Sequence, residues 1–192
     1  GKQAVAAVGQ SELMSIYDSF FNDYGCQIGQ ILLTKDVMTN DARRQNVTNT
    51  FNTLLKMGCI PVVNENDSVE VAEIKFGDND TLSAIVADCI KADLLILLTD
   101  IDALYDGDPR KNPNAKKIDV VETISADIEN LAGDAGSDRG TGGMATKIAA
   151  AKIATEKGIT VAIGNGQNPD IIYDFIDGKN PGTIFRAKGV AL

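Results

Sequence analysis

Two clusters of acidic and amide side chains carry the chemistry most plainly. The first reads Asn64-Glu65-Asn66-Asp67-Ser68 and the second Gly77-Asp78-Asn79-Asp80. Carboxylates attract an ammonium group, and side-chain amides both donate and accept hydrogen bonds. Together with backbone N–H groups they suit a small ligand bearing an ammonium and a carboxylate. The same residue types also form turns and cap helices, and Asp78 to Asp80 directly precede an apolar-periodic run. A calcium loop is a poor fit, because neither cluster supplies both the Gly at the sixth position and the Glu at the twelfth.

Gly140-Thr141-Gly142-Gly143-Met144-Ala145-Thr146-Lys147 opens a helical pattern. Glycines let a backbone approach an anion closely, and the N–H groups of a helix start point at it. The order differs from a Walker A loop, which ends Gly-Lys-Ser/Thr. A lysine in a first helical turn opposes the helix dipole, so Lys147 calls for a use other than helix stability. Thr99-Asp100 ends the most apolar run of the chain, Leu94 to Leu98. Such a polar pair serves strand termination or contact with a nucleotide or its metal.

Composition narrows the options. The chain of 192 residues has no histidine, three cysteines and a net charge of −9. Without histidine, Ser-His and Cys-His nucleophile pairs are excluded. The acidic balance argues against nucleic acid or an anionic membrane as partner. No apolar run reaches the ~20 residues of a membrane helix, no signal-peptide pattern is present, and cytoplasmic location is the matching expectation. Cys26, Cys59 and Cys89 lack metal-ligand spacing and lie in or beside apolar runs, so reduced, buried thiols are expected.

The elements that position these residues alternate. Helical spacing of Val5, Val8, Leu13, Ile16, Tyr17, Phe20 and Phe21 predicts a helix over 3–24, packed on the core, with Gly25 as its stop. Strands are expected at 28–33, 59–63, 93–100, 120–121, 159–163 and 182–185. Helices are expected at 40–57, 81–91, 124–132, 143–157 and 169–177. The unbroken apolar run before Thr99 suggests burial on both faces, as in a parallel sheet covered by helices. The stretch 100–117 reads as a loop and 133–143 as a mobile segment. The alternation gives an α/β fold with a largely parallel sheet. Its strand ends are where ligands bind in such sheets.

The three constellations together contain what phosphoryl transfer needs. Charge spreads over the transferred group, so catalysis rests on positioning and electrostatic stabilisation. With these residues the chain resembles the glutamate 5-kinase (γ-glutamyl kinase) family of the amino-acid kinase superfamily. The likeness runs from Lys2-Gln3-Ala4-Val5-Ala6-Ala7-Val8-Gly9-Gln10 to Gly182-Thr183-Ile184-Phe185. Thr99 to Tyr105 and Asp108-Pro109-Arg110 resemble a nucleotide-side loop shared by several kinases. The clusters Asn64–Asp67, Gly77–Asp80 and Gly140–Lys147 are more specific to this family.

The resemblance implies a three-layer α/β/α sandwich and the reaction of ATP, brought with Mg²⁺, with L-glutamate to give L-glutamyl 5-phosphate, the first step of proline synthesis. Asp67, Asn79 and Asn64 would bind glutamate. Thr99, Asp100, Thr141, Gly142, Gly143, Met144, Ala145, Thr146 and Lys147 would bind ATP. Lys147 would stabilise the transferring phosphoryl group and Asp80 would orient the catalytic lysines. No resident metal site is expected. Proline as feedback inhibitor, a glutamyl-phosphate reductase as pathway partner, and a homodimer or homotetramer are implied as well.

Against the family pattern, a first strand with Lys-x-Gly-Ser/Thr and a second ending in Ser-Gly-Ala are not in this chain. Residues 1–192 are therefore expected to be an amino-acid kinase domain lacking its N-terminal portion, without a C-terminal PUA-type domain, and inactive by themselves. The alternatives are a sibling kinase acting on acetylglutamate, aspartate, carbamate or UMP, and a non-catalytic amino-acid or nucleotide sensor on the same fold.

Overall fold

A computed structural model describes residues 1–34, 36–69, 79–107, 109, 111–134 and 143–189. The chain divides into two compact units, Gly1–Leu82 and Ser83–Leu192.

In the first unit, α1 (Lys2–Asn22) leads into β1 (Ile28–Leu33), then α2 (Asp36–Thr39), α3 (Asp41–Lys56) and β2 (Ile60–Glu65). Strands β1 and β2 pair in parallel, Ile28 opposite Ile60 through Leu33 opposite Glu65. Parallel neighbours require a crossover, and α2–α3 supply it. Asn40 caps α3, its side chain accepting the Arg43 N–H at 3.0 Å. Gly58, at φ +75°, lets the chain leave α3 in the left-handed region. Phe51 on α3 is fully buried. Gly29 sits so close to Leu54 that a Cβ there would lie 2.9 Å from its methyl groups.

The second unit begins within α4 (Asn79–Ile90) and continues with β3 (Leu94–Thr99), β4 (Val120–Val121), α5 (Ala126–Asp134), α6 (Met144–Glu156), β5 (Thr160–Asn165), α7 (Ile171–Ile176) and β6 (Thr183–Phe185). Its sheet runs β3-β5-β6-β4. The β3–β5 and β4–β6 pairs are parallel and β5–β6 is antiparallel. Successive residues of a strand point to opposite faces, and β5 uses both. Val161 and Ile163 join the cluster of α6, whose Ala150, Ala151 and Ala154 are wholly buried. On the other side Ala162 joins Ile171 and Phe175 of α7. Helices thus cover both faces of this sheet, the α/β layering expected.

The predicted elements recur, with the short α2 added, and three burial expectations change. Helix α1 forms but contains no buried residue. Val5, Val8 and Phe20 are 65–74% exposed. It packs against β1, so the apolar stripe expected in the core is left uncovered by the described residues. The run Leu94–Leu98 is not buried on both faces: β3 is the edge of its sheet and Leu98 is exposed. Cys59 and Cys89 are buried free thiols, but Cys26, beyond the end of α1, is half-buried. The segment 133–143, expected to be mobile, falls mostly outside the described residues. Among the described residues no helix is long and apolar enough to cross a membrane.

Candidate active site

In the first unit a cavity of about 430 Å³ opens at the C-terminal end of β2. Asn64, Glu65, Asn66, Asp67 and Ser68 form one wall, and Gln10 of α1 and Gln30 of β1 another. The wall is continuous with the sheet, because the Asn66 N–H donates to the Leu33 carbonyl at 2.8 Å and so extends the β1–β2 ladder. Asn64 is tied at both ends of its amide. Its Oδ1 accepts the Glu65 N–H at 2.9 Å, and its Nδ2 donates to Gln10 Oε1 at 3.0 Å. The backbone donor fixes which end of the amide is oxygen. Gln10 in turn donates to Gln30 Oε1 at 3.3 Å. Ser68 donates to Asn66 Oδ1 at 2.6 Å. The polar part of the lining is thus a hydrogen-bonded array of amides with two half-buried carboxylates, Glu65 and Asp67, beside them.

The structure brings Asn64 and Asp67 to one cavity. Asn79 and Asp80 open α4 and do not line it. Asp78, at the head of that cluster, lies outside the described residues, as do Asp108 and Arg110 of the shared loop. Gln10 and Gln30 were not singled out from the sequence. A polar residue inside the apolar strand 28–33 was the available signal for Gln30. Gln10, in a helix of mixed polarity, offered none.

In the second unit Thr99 and Asp100 sit at the C-terminal end of β3, with the Thr99 hydroxyl donating to Asp100 Oδ1 at 3.0 Å. The Thr99 carbonyl accepts the Gly166 N–H at 2.8 Å. The loop beyond β3 turns back on itself. Tyr105 bridges Lys117 in antiparallel fashion, and the Asp106 N–H donates to the Lys116 carbonyl. Tyr105 donates its hydroxyl to Asp102 Oδ2 at 2.8 Å, and that hydrogen bond raises the phenol pKa above its ordinary value. The phenol therefore stays a neutral donor at physiological pH.

Gly143 is the N-cap of α6 and provides no side-chain cap. The orphan N–H groups of a helix start then favour an anion. Thr146 turns inward, its hydroxyl donating to the Gly143 carbonyl at 2.8 Å. Met144 is buried, Ala145 exposed, and Lys147 only 7% exposed. A lysine in a first helical turn is opposed by the helix dipole. Thr141 and Gly142 fall outside the described residues. No cluster of metal-ligating side chains occurs among the described residues.

Comparison with known proteins completes the picture. The family model of the amino acid kinase family matches residues 1–165. A glutamate 5-kinase of Clostridium perfringens is 53% identical over 191 residues, covering 97% of this chain and 71% of that protein. One of Clostridium tetani is 56% identical over 186 residues, covering 97% and 70%. Among solved structures, an isopentenyl phosphate kinase matches with a TM-score of 0.61 at 18% identity, covering 91% of this chain and 66% of that one. At that identity the likeness supports the fold alone. The chain belongs to the amino acid kinase family and, within it, to the glutamate 5-kinases.

Proposed function

We propose that this chain is the part of a glutamate 5-kinase that binds L-glutamate and ATP and transfers the γ-phosphoryl group to the glutamate side-chain carboxylate. The observation that carries the reading is the amide and carboxylate cavity at the end of β2, in a chain more than half identical to glutamate 5-kinases. Bound ATP, with Mg²⁺ on its phosphates, supplies the phosphoryl group and a neutralised leaving group. A carboxylate oxygen attacks the γ-phosphorus, that O–P bond forms, the bridging O–P bond to the β-phosphate breaks, and L-glutamyl 5-phosphate and ADP result. The nucleophile is already deprotonated, so no general base is needed, which accords with a chain that has no histidine.

The residues divide by task. Asp67 faces the cavity as the carboxylate for the substrate ammonium, and Asn64, oriented by Gln10 and Glu65, offers its amide to a substrate carboxylate. Asn79 is assigned to glutamate and Asp80 to the orienting of lysines by family resemblance. The start of α6 from Gly143 to Ala145, without a side-chain cap, suits phosphate oxygens, Thr146 is assigned to ATP by resemblance, and Lys147 adds the charge that the transferring group requires. Thr99 and Asp100 suit the nucleotide or its metal. Thr141 and Gly142 are assigned to ATP by resemblance. Proline as an inhibitor read near the glutamate site, a reductase consuming the acyl phosphate, a dimeric or tetrameric assembly and cytoplasmic location belong to the same proposal.

Asp67→Ala tests the substrate assignment. A hydrogen bond to a charged group contributes about 1.5–3 kcal/mol, so KM for glutamate rises roughly 10- to 150-fold while KM for ATP holds. Steady-state kinetics with each substrate varied separately checks this. A glutamate KM unchanged in Asp67→Ala would remove the cavity from the reaction.

A further inference from the structure

We infer that Thr183 is a positioning residue for the nucleotide-side loop, acting through a hydroxyl inserted into the loop's neck. The inference rests on the reading above that Thr99 and Asp100 meet the nucleotide. Leu104 and Ile118 face each other where the loop leaves and returns, and the Ile118 N–H donates to the Leu104 carbonyl at 2.8 Å. In an antiparallel hydrogen-bonded pair the two residues exchange both bonds. Here the reciprocal connection runs through a third residue. The Thr183 hydroxyl accepts the Leu104 N–H at 2.9 Å and donates to the Ile118 carbonyl at 2.7 Å. One hydroxyl of β6 thus stands between the two strands of the neck and sets their separation.

The seat is closed on all sides. Thr183 is wholly buried, and Ala103 and Leu104 are 1% and 2% exposed. Gly182 lies against the Asp102 carbonyl, 3.1 Å from where its Cβ would be. Asn180 adds an outer tie, accepting Lys117 Nζ at its carbonyl and donating its side chain to the Asp119 carbonyl. The segment Asp100–Ala103 is therefore held at both ends, by β3 with its Thr99 contact to Gly166, and by the neck on Thr183. Without the hydroxyl, the Leu104 N–H and Ile118 carbonyl either stay unpaired in a buried site or close onto each other. Closure draws Leu104 toward Ile118 and displaces Asp100.

The test is steady-state kinetics of Thr183→Val and Thr183→Ser in the full-length enzyme. Valine keeps the shape and loses the hydroxyl, and serine keeps the hydroxyl. Displacements of about 1 Å cost up to ~100-fold in such sites. Thr183→Val is expected to raise KM for ATP and lower kcat, so that kcat/KM for ATP falls about tenfold, a fraction of that limit, with KM for glutamate little changed. Thr183→Ser restores the wild-type KM for ATP. Should Thr183→Val not fold, Thr183→Cys against Thr183→Ser gives the same comparison, since they differ only in sulfur for oxygen and a thiol is a weak donor. A lowered thermal midpoint with unchanged KM for ATP makes Thr183 a scaffold residue and overturns the inference, as does an equal rise in both KM values. Asp100→Ala with unchanged KM for ATP instead removes the nucleotide reading itself.

Discussion

Lys147→Met lowers kcat by about two to three orders of magnitude, the size seen when one donor to a developing negative charge is removed. Lys147 is 7% exposed in the first turn of α6. The helix dipole opposes a cation there. Methionine fills a similar volume without the dipole penalty. The variant is expected to remain folded, its thermal midpoint falling by no more than the roughly 6–20 °C that loss of one side of a buried pair costs at this chain length. KM for glutamate holds, because the cavity at the end of β2 is untouched. Loss of kcat with retained fold, read by initial rates and a thermal melt, places the cost of Lys147 in catalysis. Retention of kcat within a few-fold with a large loss of stability would make Lys147 a structural cation.

Gly182→Ala is expected to cost stability. A Cβ at this position would lie 1.9 Å from the Ile163 carbonyl oxygen and 3.1 Å from that of Asp102. Both are backbone atoms, and Ile163 is held in the β5–β6 pair opposite Thr183, so neither yields as a flexible side chain does. Overpacking of well-packed sites costs about 1–3 kcal/mol and occasionally more, and a backbone clash belongs at the upper end, about 4 kcal/mol. At about 2–4 °C per kcal/mol for a chain of this size, the melting midpoint falls roughly 8–16 °C. Gly164→Ala, which meets the side chains of Ile171 and Phe175 instead, is the milder comparison. Equal melting of wild type and Gly182→Ala would show that β6 does not lie against β5 as described.

The alternation of elements was legible in the sequence because its punctuation is local. Gly25, Gly58 and Gly158 each follow a helix and each adopts positive φ, so the residue type alone marked the stop. Burial was less legible, because it depends on what lies across the sheet. The strongest apolar run, Leu94–Leu98, proved to be an edge strand with Leu98 exposed. The modest Val161-Ala162-Ile163-Gly164 proved to be the covered one. Its small residues weaken a hydropathy signal and are what admits a helix on each face. The stripe of α1 reads as a core face, yet the described residues leave it open.

The site divides in the same way. Asn64 and Asp67 could be singled out because acidic and amide residues cluster after a strand. Of the two glutamines that complete the amide array, Gln30 left only the weak signal of a polar residue in an apolar strand, and Gln10 left none, because its meaning lies in partners 20 and 54 positions away. Thr183 was visible only as part of a short strand. Its hydroxyl matters through Leu104 and Ile118, 79 and 65 residues off.

The measurement that tests the assignment most directly is ATP-dependent phosphorylation by the full-length enzyme, read as ADP release and, for the carboxylate acceptors, as hydroxamate trapped from the acyl phosphate, with L-glutamate, N-acetylglutamate, aspartate and UMP run side by side. Hydroxamate from glutamate, no turnover of the other three, and loss of the signal in Lys147→Ala and Asp80→Ala are expected. A folded enzyme that binds ATP but turns over another acceptor in place of glutamate would contradict it. Silence on all four would do the same and return the chain to a sensor.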